Sequence, residues 1–250
     1  ALVYGIEQLR NYASFVFSES SESEKKETND PLMSEDVEVD CPLASEEIEV
    51  NRLLIEAIRS GKVELESFLL DQKAQVNARD KDGMTALMIA AEIGNTEYIR
   101  ILLEHGTNLE SRNNEGRTAL MIAAQKDRFE VVKCLLDRGA NVNHRDKQSK
   151  SALMLAARSG SVQTVKLLFE RGADLEAADE DGETALFSAR HSSSMLETLL
   201  DLGANINHQD NMLWTVLMYA ALWCEYESKL ARVRVLCERG ANVHIRDNEE

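Results

Sequence analysis

Five histidines (His105, His144, His191, His208, His244) and four cysteines (Cys41, Cys134, Cys224, Cys237) are the side chains best suited to metal binding, nucleophilic attack or proton transfer. Their spacing argues against each chemistry. The cysteines stand far apart with no CxxC pair, which fits neither a zinc knuckle nor a disulfide framework and favours a reducing compartment, the cytoplasm or else the nucleus. His105 falls at the end of an expected helix, and His144, His208 and His244 occupy one position of a repeating pattern. Packed helical layers lie ~10 Å apart, too far for such residues to share an ion whose ligands sit ~2 Å away. The sequence holds no HExxH and no phosphate-binding glycine loop, and no Ser-His-Asp arrangement is legible in it. We expect no catalytic residue, no metal site, no cofactor and no enzyme activity in this segment. Cys134 and Cys237 fall at apolar helix positions and are expected in the core.

The elements around these residues follow from composition and periodicity. The 250 residues carry 28 basic and 44 acidic side chains, a net charge of −16. Such an acidic chain is poorly suited to phosphate backbones or anionic lipid. Charges break every apolar run well before the ~20 residues a membrane-spanning helix needs. Nucleic acid and membrane are therefore not expected as partners. Residues 1–17 are mostly apolar and read as the remnant of a preceding segment, with no assigned role. Residues 18–49 hold both prolines and twelve acidic residues against Lys25 and Lys26, a net −10. Chains of that composition cannot bury enough apolar area to offset the entropy of ordering, so this stretch is expected to be a disordered acidic linker.

From residue 50 onward the chain repeats. Thr85-Ala86-Leu87-Met88, Thr118-Ala119-Leu120-Met121, Ser151-Ala152-Leu153-Met154, Thr184-Ala185-Leu186-Phe187 and Thr215-Val216-Leu217-Met218 recur at spacings of 33, 33, 33 and 31. Each is followed by small residues, an apolar helical stretch and a glycine (Gly106, Gly139, Gly172, Gly203, Gly240). Within one unit Thr85 can cap a first helix, Gly94 can end it in the left-handed conformation, and Asn95 can cap a second. Tyr98, Ile99, Leu102 and Leu103 give that second helix an apolar stripe. One unit has no closed core, so only stacking buries these faces.

The period and motif resemble the ankyrin repeat. The resemblance implies an all-α solenoid of stacked helix-turn-helix units with projecting β-hairpin fingers. The domain would cover 50–250, with a cap at 50–79 and repeats at about 80–112, 113–145, 146–178, 179–209 and 210–246. The last of these runs into the start of another finger, so a monomeric module of a larger chain is expected. Departures are clear: Ala or Val replaces the family's helix-start proline, and Met or Phe replaces its histidine. Finger glycines Gly83, Gly116 and Gly182 become Ser149 and Leu213 in the third and fifth units. The fourth unit lacks two residues near His191 to Ser194, the fifth has four extra near Cys224 to Lys229, and special function is expected there.

Function is implied by the same resemblance: a non-catalytic scaffold that binds another protein along its concave face, through finger tips and first-helix ends. Those register positions give Met84, Arg117, Lys150 and Trp214 before the helices, and Lys126, Arg158, Leu222 and Trp223 at their ends. Arg79, Arg112 and Arg145 share a finger position. The basic members would favour an acidic or phosphorylated segment, since guanidinium forks pair well with carboxylates and phosphates; alternatively they pair with Asp80, Asp82, Glu115 and Asp146 of the chain itself. Trp214 and Trp223 suit an interface. A second class is a ligand-sensing module, taking a nucleotide-like effector and regulating a catalytic domain outside this segment. Asn77, Asn143 and Asn207 resemble the asparagines that factor-inhibiting hydroxylases modify in such repeats; their alternative is a structural bond across the hairpin.

Overall fold

The computed structural model describes residues 54, 55, 58, 59, 76–222 and 226–247. The expected N-terminal remnant, the acidic linker, most of the cap and Trp223 lie outside the described residues. Between residues 76 and 247, among the described residues, ten helices follow in pairs: α1 (Ala86–Ile93) and α2 (Thr96–Glu104), α3 (Ala119–Gln125) and α4 (Phe129–Asp137), α5 (Ala152–Ser159) and α6 (Val162–Glu170), α7 (Ala185–Ser188) and α8 (Ser193–Asp201), α9 (Val216–Leu222) and α10 (Tyr226–Glu238). First helices pack on first helices through α1, α3, α5 and α7, and second helices pack on second helices through α2, α4 and α6. The result is an all-α repeat solenoid.

Local chemistry starts and stops these helices. The Thr85 hydroxyl accepts from Met88 N at 3.4 Å while Thr85 N donates to the Met88 thioether at 3.5 Å, a capping box in which sulfur replaces the usual carboxylate. Ser151 and Met154 repeat the device, and Thr118 caps α3 with its hydroxyl. Methionine at the place of the family's histidine thus closes the helix start and is buried as well. Gly94 and Gly160 end α1 and α5 with positive φ. Asn95 caps α2 through Glu97 N and Tyr98 N.

The core is one continuous cluster along the stack. It combines the Ala-Leu-Met helix starts with Tyr98, Ile99, Leu102, Val131, Val132, Leu135, Val165, Leu168, Leu196 and Leu199. Cys134 packs against it half-buried. Cys237 does not share that fate, being exposed. It stands three residues before Gly240, as Leu136 stands before Gly139, but no following helix among the described residues covers it.

Between the units the chain makes tight turns instead of extended strands. In every unit an Asp or Asn side chain (Asp80, Asn113, Asp146, Asp179, Asp210) accepts from the backbone N–H groups two and four residues on. The same residue's own N–H donates to the carbonyl four residues on, closing the loop. Isolated antiparallel bridges join Arg79 to Thr85 and Arg145 to Ser151, and no longer ladder is formed among the described residues. Consecutive turns are stitched by single backbone bonds, from Asn114 N to Asp82 O, Lys147 N to Glu115 O, Glu180 N to Gln148 O and Asn211 N to Asp181 O.

The left-handed position of these turns is occupied by Gly83, Gly116 and Gly182, and by Ser149 and Leu213 at φ 59° and 61°. At Gly116 a Cβ would lie 2.9 Å from Lys147 N of the next turn, so glycine there answers both the positive φ and the close stacking.

Candidate functional site

Two hollows open on the face made by the turns and the ends of the first helices. The first, about 430 Å³, lies between the first and second units and is lined by Met84, Glu92, Arg117, Gln125 and Lys126 among others. The second, about 270 Å³, lies between the third and fourth and is lined by Lys150, Arg158, Asp179, Asp181, Glu183, Arg190 and His191, over a floor that includes Met154 and Leu155.

In the first hollow the cations are spent. Lys126 pairs with Glu92 at 2.9 Å. Arg117 is bound by Glu115 at 2.8 Å and Asp146 at 3.2 Å, and donates to Gln125 as well. In the second hollow two are not. Lys150 meets only the neutral Gln148 amide, at 3.3 Å, and Arg158 makes no hydrogen bond or ion pair among the described residues. Of the acidic side chains there, Asp179 is held by the turn, Glu183 pairs with Arg190 at 2.9 Å, and Asp181 is exposed with its carboxylate unpaired among the described residues.

Beside the second hollow α7 has only four residues where α1, α3 and α5 have seven or eight. The two-residue deletion removes the last turn, and the chain reverses through Arg190 and His191 into Ser192, which caps α8 through Met195 N. Arg232 of α10, 5% exposed, reaches back to donate to the His191 carbonyl at 3.1 Å. Partial desolvation, then the charges of Arg190, Arg232 and Arg158, hold the His191 imidazole below its ordinary value; the ring is largely exposed, so solvent screens the effect.

Arg190 also leads out of the hollow. Its guanidinium stands over the Tyr219 ring at 5.5 Å, and that ring lies 5.1 Å from Trp214. Tyr219 donates to buried Asp210 at 2.8 Å. Desolvation, this hydrogen bond and the carboxylates of Asp210 and Glu183, opposed by Arg190, push its hydroxyl up to about 12. Beyond Trp214 the surface turns apolar, with Met212 and Leu222 each 63% exposed.

A family model for ankyrin repeats in three copies matches residues 54–146 and 153–247. The chain belongs to the ankyrin-repeat family. No curated protein matches it. Ankyrin repeats are in general protein–protein interaction modules without catalytic activity. Among the described residues no helix is long and apolar enough to cross a membrane.

The ankyrin register accounts for which expected residues meet. Met84, Arg117 and Lys126 share the first hollow, and Lys150 and Arg158 share the second. Trp214 and Leu222 lie in the fifth repeat, Trp214 half-buried against Tyr219 and Leu222 exposed. Arg79, Arg112 and Arg145 behave as inter-repeat ties. Arg79 donates to Arg112 O at 2.8 Å, Arg145 to Ala178 O, and Gln209, at the same register, to Arg246 O at 3.2 Å. Arg112 instead meets His144 at 2.9 Å, and His144 pairs with Glu110 at 2.7 Å. Of the carboxylates proposed from sequence, Glu115 and Asp146 pair with Arg117, whereas Asp80 pairs with Arg59.

The three asparagines hold neighbouring repeats together. Asn77 Oδ1 accepts from Asn108 N, Asn143 Oδ1 from Asp174 N, and Asn207 Oδ1 from Asn242 N. In the intervening repeats Glu110 and Glu176 take the same role, accepting from Asn141 N and Asn205 N. The bond runs between repeats instead of across one hairpin.

Histidine use is likewise structural. His105 Nδ1 meets Ile101 O at 2.9 Å at the end of α2, and His208 meets Gly182 O at 2.9 Å while packing edge-on against Phe187. Among the described residues no three His, Cys, Asp or Glu side chains gather as a metal site. Sequence reasoning grouped Tyr219 with Trp214 but missed Arg190, which covers the Tyr219 ring, and Arg232, which reaches His191; both contacts join the shortened repeat to the one after it. The irregular lengths of those two repeats were the available signal.

Proposed function

We propose that this chain is a non-catalytic scaffold that captures another protein on the face formed by its finger turns and first-helix ends, with Lys150 and Arg158 receiving an acidic or phosphorylated segment. The observation that carries this reading is that Lys150 and Arg158 line one hollow while neither is paired with a carboxylate among the described residues. An unpaired guanidinium on a chain of net charge −16 is a specific attraction for an anionic group against a repulsive background. Arg117 and Lys126 would contribute less, since a partner must first displace Glu92, Glu115 and Asp146.

Affinity capture with the full chain tests the reading. The Lys150→Glu/Arg158→Glu variant should lose proteins that the parent retains, and Lys166→Glu on α6 should keep them. An unchanged set of captured proteins contradicts the proposal. Stabilisation of the chain by an added nucleotide, with no protein captured, would favour the ligand-sensing alternative.

A further inference from the structure

The concave face changes character along the stack. In the third repeat both of its rows are basic, with Lys150 on the turn and Arg158 at the helix end. In the fourth, the turn presents Glu183 paired to Arg190, beside His191. In the fifth both rows are apolar, with Met212, Leu213 and Trp214 on the turn and Leu222 at the end of α9. Arg190 makes these regions continuous, because one side chain lines the hollow and covers the Tyr219 ring that supports Trp214.

We propose that the hollow over α7 and the apolar corner of the fifth repeat form a single groove for one extended partner segment, whose anionic side chain sits between Lys150 and Arg158 and whose large apolar side chain sits on Trp214 and Leu222. This rests on the concave-face reading above and specifies the partner's pattern. Packed helical layers are separated by about 10 Å, so the hollow, which straddles the third and fourth repeats, lies roughly 15 Å from the fifth. An extended chain advances about 3.3 Å per residue, which sets the two anchors about five residues apart.

Each end has a physical reason to be occupied. Exposed large apolar side chains on the turn and at the first-helix end of one repeat gain from desolvation when covered. Arg158 gains a partner that the chain does not supply among the described residues. Among the acidic side chains of the hollow, Glu183 is engaged by Arg190 and Asp179 by the turn backbone, which leaves exposed Asp181 as the carboxylate that the incoming anion must avoid.

The test is selection of a displayed random-peptide library on the full chain, followed by titration of the enriched peptides. Enriched sequences should pair Asp or Glu with Leu, Ile, Met, Phe or Trp four to six positions away. Their affinity should fall about tenfold or more with Arg158→Glu and with Leu222→Asp, and stay unchanged with Lys166→Glu. Arg158 and Leu222 are exposed, and unchanged urea midpoints would show both variants folded. Replacing the acidic residue by phosphoserine separates the two anion sources: tighter binding points to a phosphoryl group, equal or weaker binding to a carboxylate. No enrichment, or enriched sequences without the paired pattern, overturns the inference. Dependence on Arg117 and Lys126 but not Arg158 sinks it while leaving the concave-face reading intact, and dependence on Lys166 alone sinks both.

Discussion

The Arg190 guanidinium lies 5.5 Å above the centre of the Tyr219 ring while its Nη1 holds Glu183 at 2.9 Å. One side chain therefore couples the charge of the fourth repeat to the aromatic packing of the fifth. Arg190→Ala should loosen both. We expect a loss of about 1–2 kcal/mol in urea unfolding, from the cation–π contact and a partly buried ion pair, together with a Tyr219 hydroxyl that ionises differently because its nearest cation is gone.

Core leucines and the surface tryptophan should separate clearly. Leu120 and Leu153 are fully buried between first helices, so Leu→Ala at either should cost about 2–5 kcal/mol. Trp214→Ala should cost less, because the ring is half-buried and packs chiefly on Tyr219. Equal losses in urea melts would place Trp214 in the core and remove it from the binding face.

Turn glycines offer a test in both directions. Ser149 holds φ 59° where other turns have glycine, so Ser149→Gly should stabilise by up to about 1 kcal/mol. Gly116→Ala should destabilise by about 1–3 kcal/mol, combining the left-handed backbone with a Cβ 2.9 Å from Lys147 N. Opposite signs would mean that the turns relax independently of one another.

The asparagines make a chemical prediction. Asn143 uses Oδ1 toward Asp174 N and Nδ2 toward Gly172 O, so Asn143→Ala should cost about 1–2 kcal/mol. With Asn77 and Asn207 tied in the same way through Oδ1, an asparaginyl hydroxylase should add no oxygen to these three residues in the folded array. Intact-mass spectra showing added oxygen would establish them as modification sites.

The pH dependence follows from His191. Its folded imidazole is held below the ordinary 6.5, so just beneath that pH the unfolded chain binds more protons than the folded one. Stability should fall as the solution is acidified through about pH 6.5, and His191→Gln should flatten that part of the curve. Arg190, Arg232 and Arg158 are the charges that face the ring. A histidine variant with the parent's slope would remove this residue as its source.

What the sequence made legible was local. Thr85, Ser151, Asn95 and Gly94 act within a few residues of themselves, so the 33-residue spacing read out the helix starts, the helix ends and the stack. The register placed Lys150 beside Arg158 for the same reason. What it could not show was competition between repeats. Arg79 and Arg145 look like surface charges until the next repeat's carbonyl is within reach, and Asn143 until Asp174 N is. Arg190 and Arg232 meet at His191 only because the deletion shortens α7 and α10 runs past it. Cys237 falls at an apolar helix position yet is exposed, whereas Leu136, equally far from its glycine, is buried, a difference that position within one helix does not reveal.

Hydrogen–deuterium exchange on the captured complex tests the concave-face account most directly. Bound partner should slow exchange in the turns and first-helix ends around 145–158 and 179–191, with 210–222 following, and leave the second helices α6 and α8 as they are in the free chain. Protection confined to 162–170 and 193–201, with the turns still exchanging freely, would contradict it.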